Sequence, residues 1–254
     1  MKIEKYFVIL LFSVTTSLAF AEEPIMITSS GTMEKVIFDG KWSFTTEWKQ
    51  SSLTTISYTD GTLIDLRTAH EGNFIYVLID EVSKTNFNKN GDAAIICFAK
   101  NDNNKIVNEN DYCFGNAFGG RNEFTLRGGS PLESTNNFVR INNHADFIGI
   151  SSVSDENDRY TTVPHATYEF RIPTDVVGRY DVYDFFMEVY DAHSNRVYAW
   201  PDSLNLQGPL KIPSLDKWGQ VISPDKSLPE FSLPSLALFV SMISIIYFSR
   251  KKFF

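Results

Sequence analysis

Short runs of alternating apolar and polar residues, interrupted by Gly, Asn, Asp or Pro, dominate the middle of this 254-residue chain. Residues 63–68 and 166–172 alternate with a period of two, whereas residues 74–79 and 93–98 are nearly continuous apolar runs. Alternation is typical of a strand with one buried face, and a short apolar run between turns is typical of a central strand. Within this region only residues 174–178 suggest a helical turn. The pattern therefore predicts an all-β domain, a two-sheet β-sandwich.

The two ends of the chain differ in composition from the middle. Residues 1–21 combine Lys2 and Lys5, a short apolar stretch and an Ala-Phe-Ala sequence, which is the pattern of a cleaved secretory signal peptide. An uncleaved anchor is the alternative. Residues 231–249 form an apolar run that is followed by a basic tail at 250–254, which predicts one transmembrane helix with a cytoplasmic tail. A buried core helix is the alternative here. We therefore expect an exported protein that is anchored in the cell membrane and faces outwards.

A short motif precedes the apolar run at the C-terminal end. Pro229, Glu230 and Phe231 are followed by the apolar helix and the basic tail, an arrangement that resembles the archaeal PEF-CTERM sorting signal. The resemblance implies that a sortase-like processing enzyme in the membrane cuts near the motif, which makes the helix a temporary anchor. Without such processing the protein is a single-pass membrane protein, and in both cases it is a cell-surface protein.

The rest of the chain has the length of one domain. We expect an N-terminal linker at 22–35, the β-sandwich at 36–212 and a Pro-containing linker at 213–230. The formal net charge is −8, and no basic cluster lies away from the two ends. Nucleic-acid binding is disfavoured because neutralising phosphates requires Lys and Arg. An acidic exported domain is compatible with solubility and with divalent cations.

The chain has two cysteines, Cys97 and Cys113. An even number of cysteines in an exported protein predicts a disulfide, with two buried free thiols as the alternative. The bridge closes a loop of about 15 residues, which contributes roughly 3 kcal/mol in the chain-entropy model.

Five segments in a fixed order carry a resemblance to a known family. They are residues 39–42 (DGKW), 73–80 (NFIYVLID), 92–98 (DAAIICF), 168–173 (YEFRIP) and 187–201, which ends in YAWP. Together they resemble the family-9 carbohydrate-binding module and its DOMON-like relatives over residues 36–212. The resemblance implies an immunoglobulin-like two-sheet β-sandwich, structural calcium and, in some members, a sugar or haem ligand.

The family holds its sugar between two tryptophans, and this chain departs from that pattern. The corresponding positions are residues 88–90 (NKN) and 203–206 (SLNL), and neither contains an aromatic residue. Trp200 and Trp218 are the candidate substitutes for carbohydrate binding. Core packing is the alternative for Trp200, because large aromatic residues are mostly buried.

Oxygen donors are concentrated between the second and third central strands. Asp102, Asn104, Asn108 and Asp111 have the ligand type that Ca²⁺ prefers, so they are the candidate structural calcium site. An ordinary solvated turn is the alternative. For haem, Met187 is a candidate axial ligand, and core packing is the alternative.

Catalytic motifs are missing from the sequence. Neither G-x-S-x-G nor H-E-x-x-H is present. Glu169 and Glu188 lie on separate predicted strands and are the one candidate carboxylate pair for glycoside hydrolysis, with a structural role for Glu169 as the alternative. We therefore expect a non-catalytic cell-surface domain that binds carbohydrate or an envelope component. The alternatives are a structural or adhesive envelope protein without a small ligand, and a haem-binding electron-transfer domain.

Overall fold

A computed structural model describes residues 23–223 except for 103–104, 133–135, 203 and 205. The described residues form two β-sheets. In spatial order the first, eight-stranded sheet contains β1 (Ile25–Met26), β14 (Gly219–Ile222), β12 (Val182–Asp191), β6 (Ala93–Lys100), β7 (Tyr112–Ala117), β8 (Glu123–Arg127) and β9 (Val139–Ile141), with β13 (Arg196–Trp200) also paired to β12. The second, six-stranded sheet contains β10 (Ile148–Val153), β11 (Ala166–Pro173), β5 (Phe74–Asp80), β4 (Leu63–Glu71) and β2 (Thr28–Ser29), with β3 (Ser52–Ser57) also paired to β4.

The two sheets pack face to face and enclose the main core. Successive side chains of a strand point to opposite faces, so Ile96 and Phe98 of β6 face the core while Ile95 and Cys97 point outwards. The inward face of β6 meets aromatic and aliphatic side chains from the second sheet, such as Phe170. The all-β two-sheet sandwich is therefore confirmed. The one described α-helix is the single turn α1 (Thr174–Val177), where the sequence suggested a helical turn.

The sandwich is longer than predicted at both ends. β14 pairs antiparallel with β12, and β1 pairs parallel with β14, with Ile25 opposite Val221. Both side chains are almost completely buried. The predicted linkers at 22–35 and 213–230 therefore contribute strands to the fold, because their apolar residues complete the edge of the core. β9 lies between β8 and β10 and extends the other edge of the eight-stranded sheet.

The predicted signal peptide at 1–21, the Pro229-Glu230-Phe231 motif, the helix at 231–249 and the tail at 250–254 lie outside the described residues. In the described part, no helix has the length and apolar character needed to cross a membrane.

The disulfide joins the two central strands of the first sheet. Cys97 and Cys113 lie opposite each other on β6 and β7 and are bonded, which confirms the predicted pair. Both are fully buried. Met187 is also fully buried, opposite Ile96 and Trp200 in the core, so in this fold it serves as a packing residue.

Candidate functional site

The outward face of the eight-stranded sheet is closed by the chain that follows β13. Ile212, Leu215 and Trp218 pack onto that face and form a second hydrophobic cluster with Ile95 and Phe186. The Trp218 ring lies 6.0 Å from that of Phe186 and nearly parallel to that of Phe138. An apolar sheet face needs such a cover because exposed apolar area is unfavourable in water. Among the described residues, this packing leaves no open platform over Ile95 and Phe186.

Glu188 binds the backbone of the segment after β13 that covers this face. It lies on the outward face of β12 and is 1% exposed. Its two carboxylate oxygens accept the backbone N–H groups of Leu210 and Lys211, at 2.5 and 3.2 Å. Burial raises the pKa of Glu188 to about 7, against the opposing effect of these two hydrogen bonds.

Both candidate tryptophans are part of the packed interior. Trp200 is 2% exposed and Trp218 is 7% exposed, and the Trp218 indole N–H donates to the Pro213 carbonyl at 3.0 Å. A ring can stack on a sugar only if one of its faces is accessible. The assignment of Trp200 and Trp218 as carbohydrate-binding platforms is therefore wrong for this arrangement, because apolar packing uses both rings.

The outward face of the six-stranded sheet is closed as well, by residues 33–48. Met33, Trp42 and Trp48 pack against Tyr76 and Leu78 of β5. The cover comes so close to β10 that a Cβ on Gly40 would lie 2.4 Å from the carbonyl carbon of Ser151, and Gly40 has a φ of +86°. Only glycine fits this position without strain.

Glu169 anchors this second cover. Its Oε2 accepts the N–H groups of Gly40 and Asp39 at 2.7 and 3.1 Å, and its Oε1 accepts the Trp48 indole N–H at 3.0 Å. Glu169 lies on the outward face of one sheet and Glu188 on the outward face of the other. The two carboxylates therefore point away from each other, and the pairing considered for glycoside hydrolysis is wrong. The alternative, a structural role for Glu169, is confirmed.

The candidate calcium loop is held by turn hydrogen bonds. Asp111 Oδ2 accepts the Asn108 N–H at 2.7 Å, and Asn108 Oδ1 accepts the Asn110 N–H at 2.9 Å. Burial raises the pKa of Asp111 to about 6. Asn104 lies outside the described residues, and Asp102 adds negative charge near Asp111. Calcium at this loop stays a prediction.

An open groove of about 490 Å³ lies where the β3–β4 hairpin meets the end of β13. The hairpin side carries Tyr58 and Asp60, and the opposite side carries Arg196 and Tyr198. The chain after β13 adds Asp202, Gln207 and other residues to its rim. The two tyrosine rings meet edge to face, with centroids 5.0 Å apart, and form an aromatic wall beside a row of polar groups.

Asp60 is the central polar group of this groove. It accepts hydrogen bonds from the Tyr198 hydroxyl at 3.0 Å, from the Thr62 N–H at 2.9 Å and from the Arg196 guanidinium. Partial burial opposes ionisation of Asp60, but the hydrogen bonds from Thr62, Tyr198 and Arg196 outweigh it and lower the pKa to about 2. The Arg196 side chain remains 56% exposed, so its other N–H groups stay accessible to a ligand.

The sequence patterns did not single out the residues of this groove. Asp60 and Arg196 are far apart in the chain and meet because β4 and β13 begin close to each other in the fold. No local pattern marks such a pair. The one available signal was that both turns carry polar residues next to a tyrosine.

No family model matches the chain, and no curated protein matches it. The similar solved structures include two carbohydrate-binding modules. A family-9 carbohydrate-binding module from Caldicellulosiruptor kristjanssonii in complex with glucose is 14% identical, with a TM-score of 0.46, and the match covers 79% of this chain and 95% of that chain. A family-9 module from the same organism in complex with cellotriose is 16% identical, with a TM-score of 0.45, and covers 79% of this chain and 93% of that chain.

Proposed function

We propose that the chain is a non-catalytic glycan-binding domain, exported and presented at the cell surface by its C-terminal helix. The observation that carries the proposal is the groove of Tyr58, Asp60, Arg196 and Tyr198. Ligand sites combine aromatic or apolar walls with a few polar groups that fix orientation. A sugar presents C–H groups and hydroxyls side by side, so an aromatic wall next to a carboxylate and a guanidinium matches its chemistry.

The electrostatics of the groove favour binding over hydrolysis. A glycosidase needs a carboxylic acid whose pKa is raised so that it can protonate the leaving group. Asp60 has the opposite property, because its hydrogen bonds lower its pKa to about 2. The glutamates of the candidate pair, Glu169 and Glu188, are among the buried carboxyl groups with raised pKa values, but their oxygens accept backbone N–H groups inside the covers.

A glycan array probed with the full-length chain tests this function. We expect a defined class of oligosaccharide to bind and Arg196→Ala to weaken its Kd at least tenfold, since a bidentate donor is lost. Arg159→Ala is the matched control, because Arg159 is exposed and lies outside the groove. Equal affinity of wild type and Arg196→Ala for the bound glycan contradicts the assignment of the groove.

A structural or adhesive envelope protein is the second candidate. The closed outer faces of both sheets favour it, because neither face leaves an open ligand platform. The same array separates the two functions. Absence of binding to every glycan, together with concentration-dependent self-association in analytical ultracentrifugation, supports the envelope protein.

Calcium and the membrane anchor are further parts of the proposal, based on the sequence. We expect EGTA to lower the melting temperature of the full-length chain and added Ca²⁺ to restore it, with Asp111→Asn removing the response. No shift on EGTA treatment contradicts the calcium site. Mass spectrometry of the native protein tests processing, since cleavage by a sortase-like enzyme leaves a C-terminus near Pro229.

A further inference from the structure

A buried cluster of two aspartates and one histidine lies at the end of the six-stranded sheet where β5 ends. Asp80 is the last residue of β5. The chain between β10 and β11 folds over this strand end and brings Asp158 and His165 onto it. Asp80 and His165 are fully buried, and Asp158 is 8% exposed. One oxygen from each carboxylate and one imidazole nitrogen lie within 4.8 Å of one another.

The atoms that converge at this point have no hydrogen-bond partner. They are both carboxylate oxygens of Asp80, Oδ2 of Asp158 and Nε2 of His165. Nε2 lies 2.5 Å from Asp80 Oδ1 and 3.8 Å from Asp158 Oδ2, but the 2.5 Å contact lacks the direction of a hydrogen bond. Buried polar atoms are rarely left unpaired in this way, and each such group needs an explanation.

The other nitrogen of His165 shows which way the ring is oriented. Nδ1 lies 2.8 Å from the Val163 carbonyl oxygen and 2.8 Å from Ser154 Oγ. A carbonyl only accepts hydrogen bonds, so Nδ1 carries the proton. In the neutral ring the lone pair of Nε2 therefore faces the two carboxylates. With the ring neutral, three electron-rich atoms converge, and either a metal ion between them or a proton on Nε2 removes their repulsion.

We propose that Asp80, Asp158 and His165 bind a divalent transition-metal ion of the zinc class. One imidazole nitrogen and two carboxylate oxygens are ligands that Zn²⁺ takes at about 2.0–2.2 Å, and small movements from the observed spacing allow this. The hydrogen bond from Nδ1 to a backbone carbonyl is the outer contact that orients metal-binding histidines. Calcium is disfavoured because it takes oxygen ligands. The described cysteines do not compete for zinc, since they form the disulfide.

The location indicates a structural role for the ion. The site is closed to solvent, and its ligands come from β5 and from the loop that covers the strand end. An ion bound by all three side chains ties that loop to the sheet. The rival explanation is a proton in place of the metal, which makes His165 an imidazolium in a buried ion pair.

Metal analysis of the full-length chain tests the proposal. After removal of metal with a chelator and dialysis against Zn²⁺, we expect one zinc per chain by mass spectrometry and a higher melting temperature than in the metal-free protein. Loading with Co²⁺ should give the visible absorption of a cobalt ion with nitrogen and oxygen ligands. Excess Ca²⁺ or Mg²⁺ should not displace the zinc.

Three variants locate the site. We expect His165→Gln and Asp158→Asn each to weaken zinc binding at least tenfold, whereas His144→Gln should leave it unchanged. His144 is the matched control because it is a partly exposed histidine outside the cluster. If a variant fails to fold, the wild-type measurement still decides the question. Absence of stoichiometric zinc and of any thermal shift in the wild-type chain overturns the proposal, as does zinc that is lost in His144→Gln.

Discussion

Replacing Glu169 by glutamine tests how this side chain holds residues 33–48 against the six-stranded sheet, because glutamine has nearly the same size as glutamate. The carboxylate accepts three hydrogen bonds, from the N–H groups of Asp39 and Gly40 and from the indole of Trp48. Glutamine has one oxygen and one NH₂ group. If its oxygen keeps the two backbone donors, its NH₂ group faces the Trp48 N–H, and two donors then meet in a buried site.

The size of the effect follows from that single mismatch. A buried donor without an acceptor costs roughly 1–3 kcal/mol, and we expect the free energy of unfolding to fall by this amount in Glu169→Gln. Glu169→Ala should be worse, because it leaves all three donors without their acceptor and creates a cavity under Trp48. The expected order of stability is wild type, then Glu169→Gln, then Glu169→Ala.

Urea unfolding of the full-length chain, followed by tryptophan fluorescence, measures these differences. Trp42 and Trp48 are both fully buried in the cover, so their emission reports directly on its loss. Glu156→Gln is the matched control, since Glu156 is exposed in a turn. An unfolding midpoint of Glu169→Gln equal to that of Glu156→Gln would falsify the anchoring role.

Three further predictions concern the disulfide, the segment that covers the eight-stranded sheet, and pH. Replacing Cys97 and Cys113 together by alanine should lower the free energy of unfolding by about 3 kcal/mol, and reductant should then have no further effect in urea titrations. Trp218→Ala should cost about 3–5 kcal/mol and expose the sheet face to the dye ANS; unchanged stability and no dye binding would contradict the covering role. Burial raises the pKa of Glu188 to about 7 and that of Glu81 to about 8, so the folded state holds more protons than the unfolded state above pH 4.5. Stability should therefore fall as pH rises from 5 to 8, and Glu188→Gln should flatten the part of the melting-temperature profile between about pH 5 and pH 7.

The strands could be predicted from the sequence because their signals are local. The alternation at 166–172 and the apolar run at 74–79 are properties of neighbouring residues, and the strands formed nearly where these patterns indicated. The domain boundaries were harder. The apolar residues of the two end segments, such as Ile25 and Val221, are isolated in the sequence. Only their pairing at the sheet edge shows that they belong to the core.

At the candidate site, too, local signals were predictable from the sequence and contacts between distant segments were not. The disulfide followed from counting cysteines in an exported chain, and Glu169 was correctly weighed as structural. Trp200 and Trp218 were misassigned because the residues next to a tryptophan in the sequence do not show whether its ring is buried or exposed. The groove at Asp60 and Arg196 had no signal of its own, since its two sides are joined only by the fold.

The sequence by itself determined the fold class, the bridging cysteines and the expectation of an exported, anchored protein, because periodicity, cysteine number and terminal composition are properties of adjacent residues. The tertiary structure alone decided which faces are closed, where a groove stays open and that Asp80, Asp158 and His165 meet. These outcomes depend on contacts between segments far apart in the chain. Such contacts form only when the two sheets pack and exclude water from the space between them.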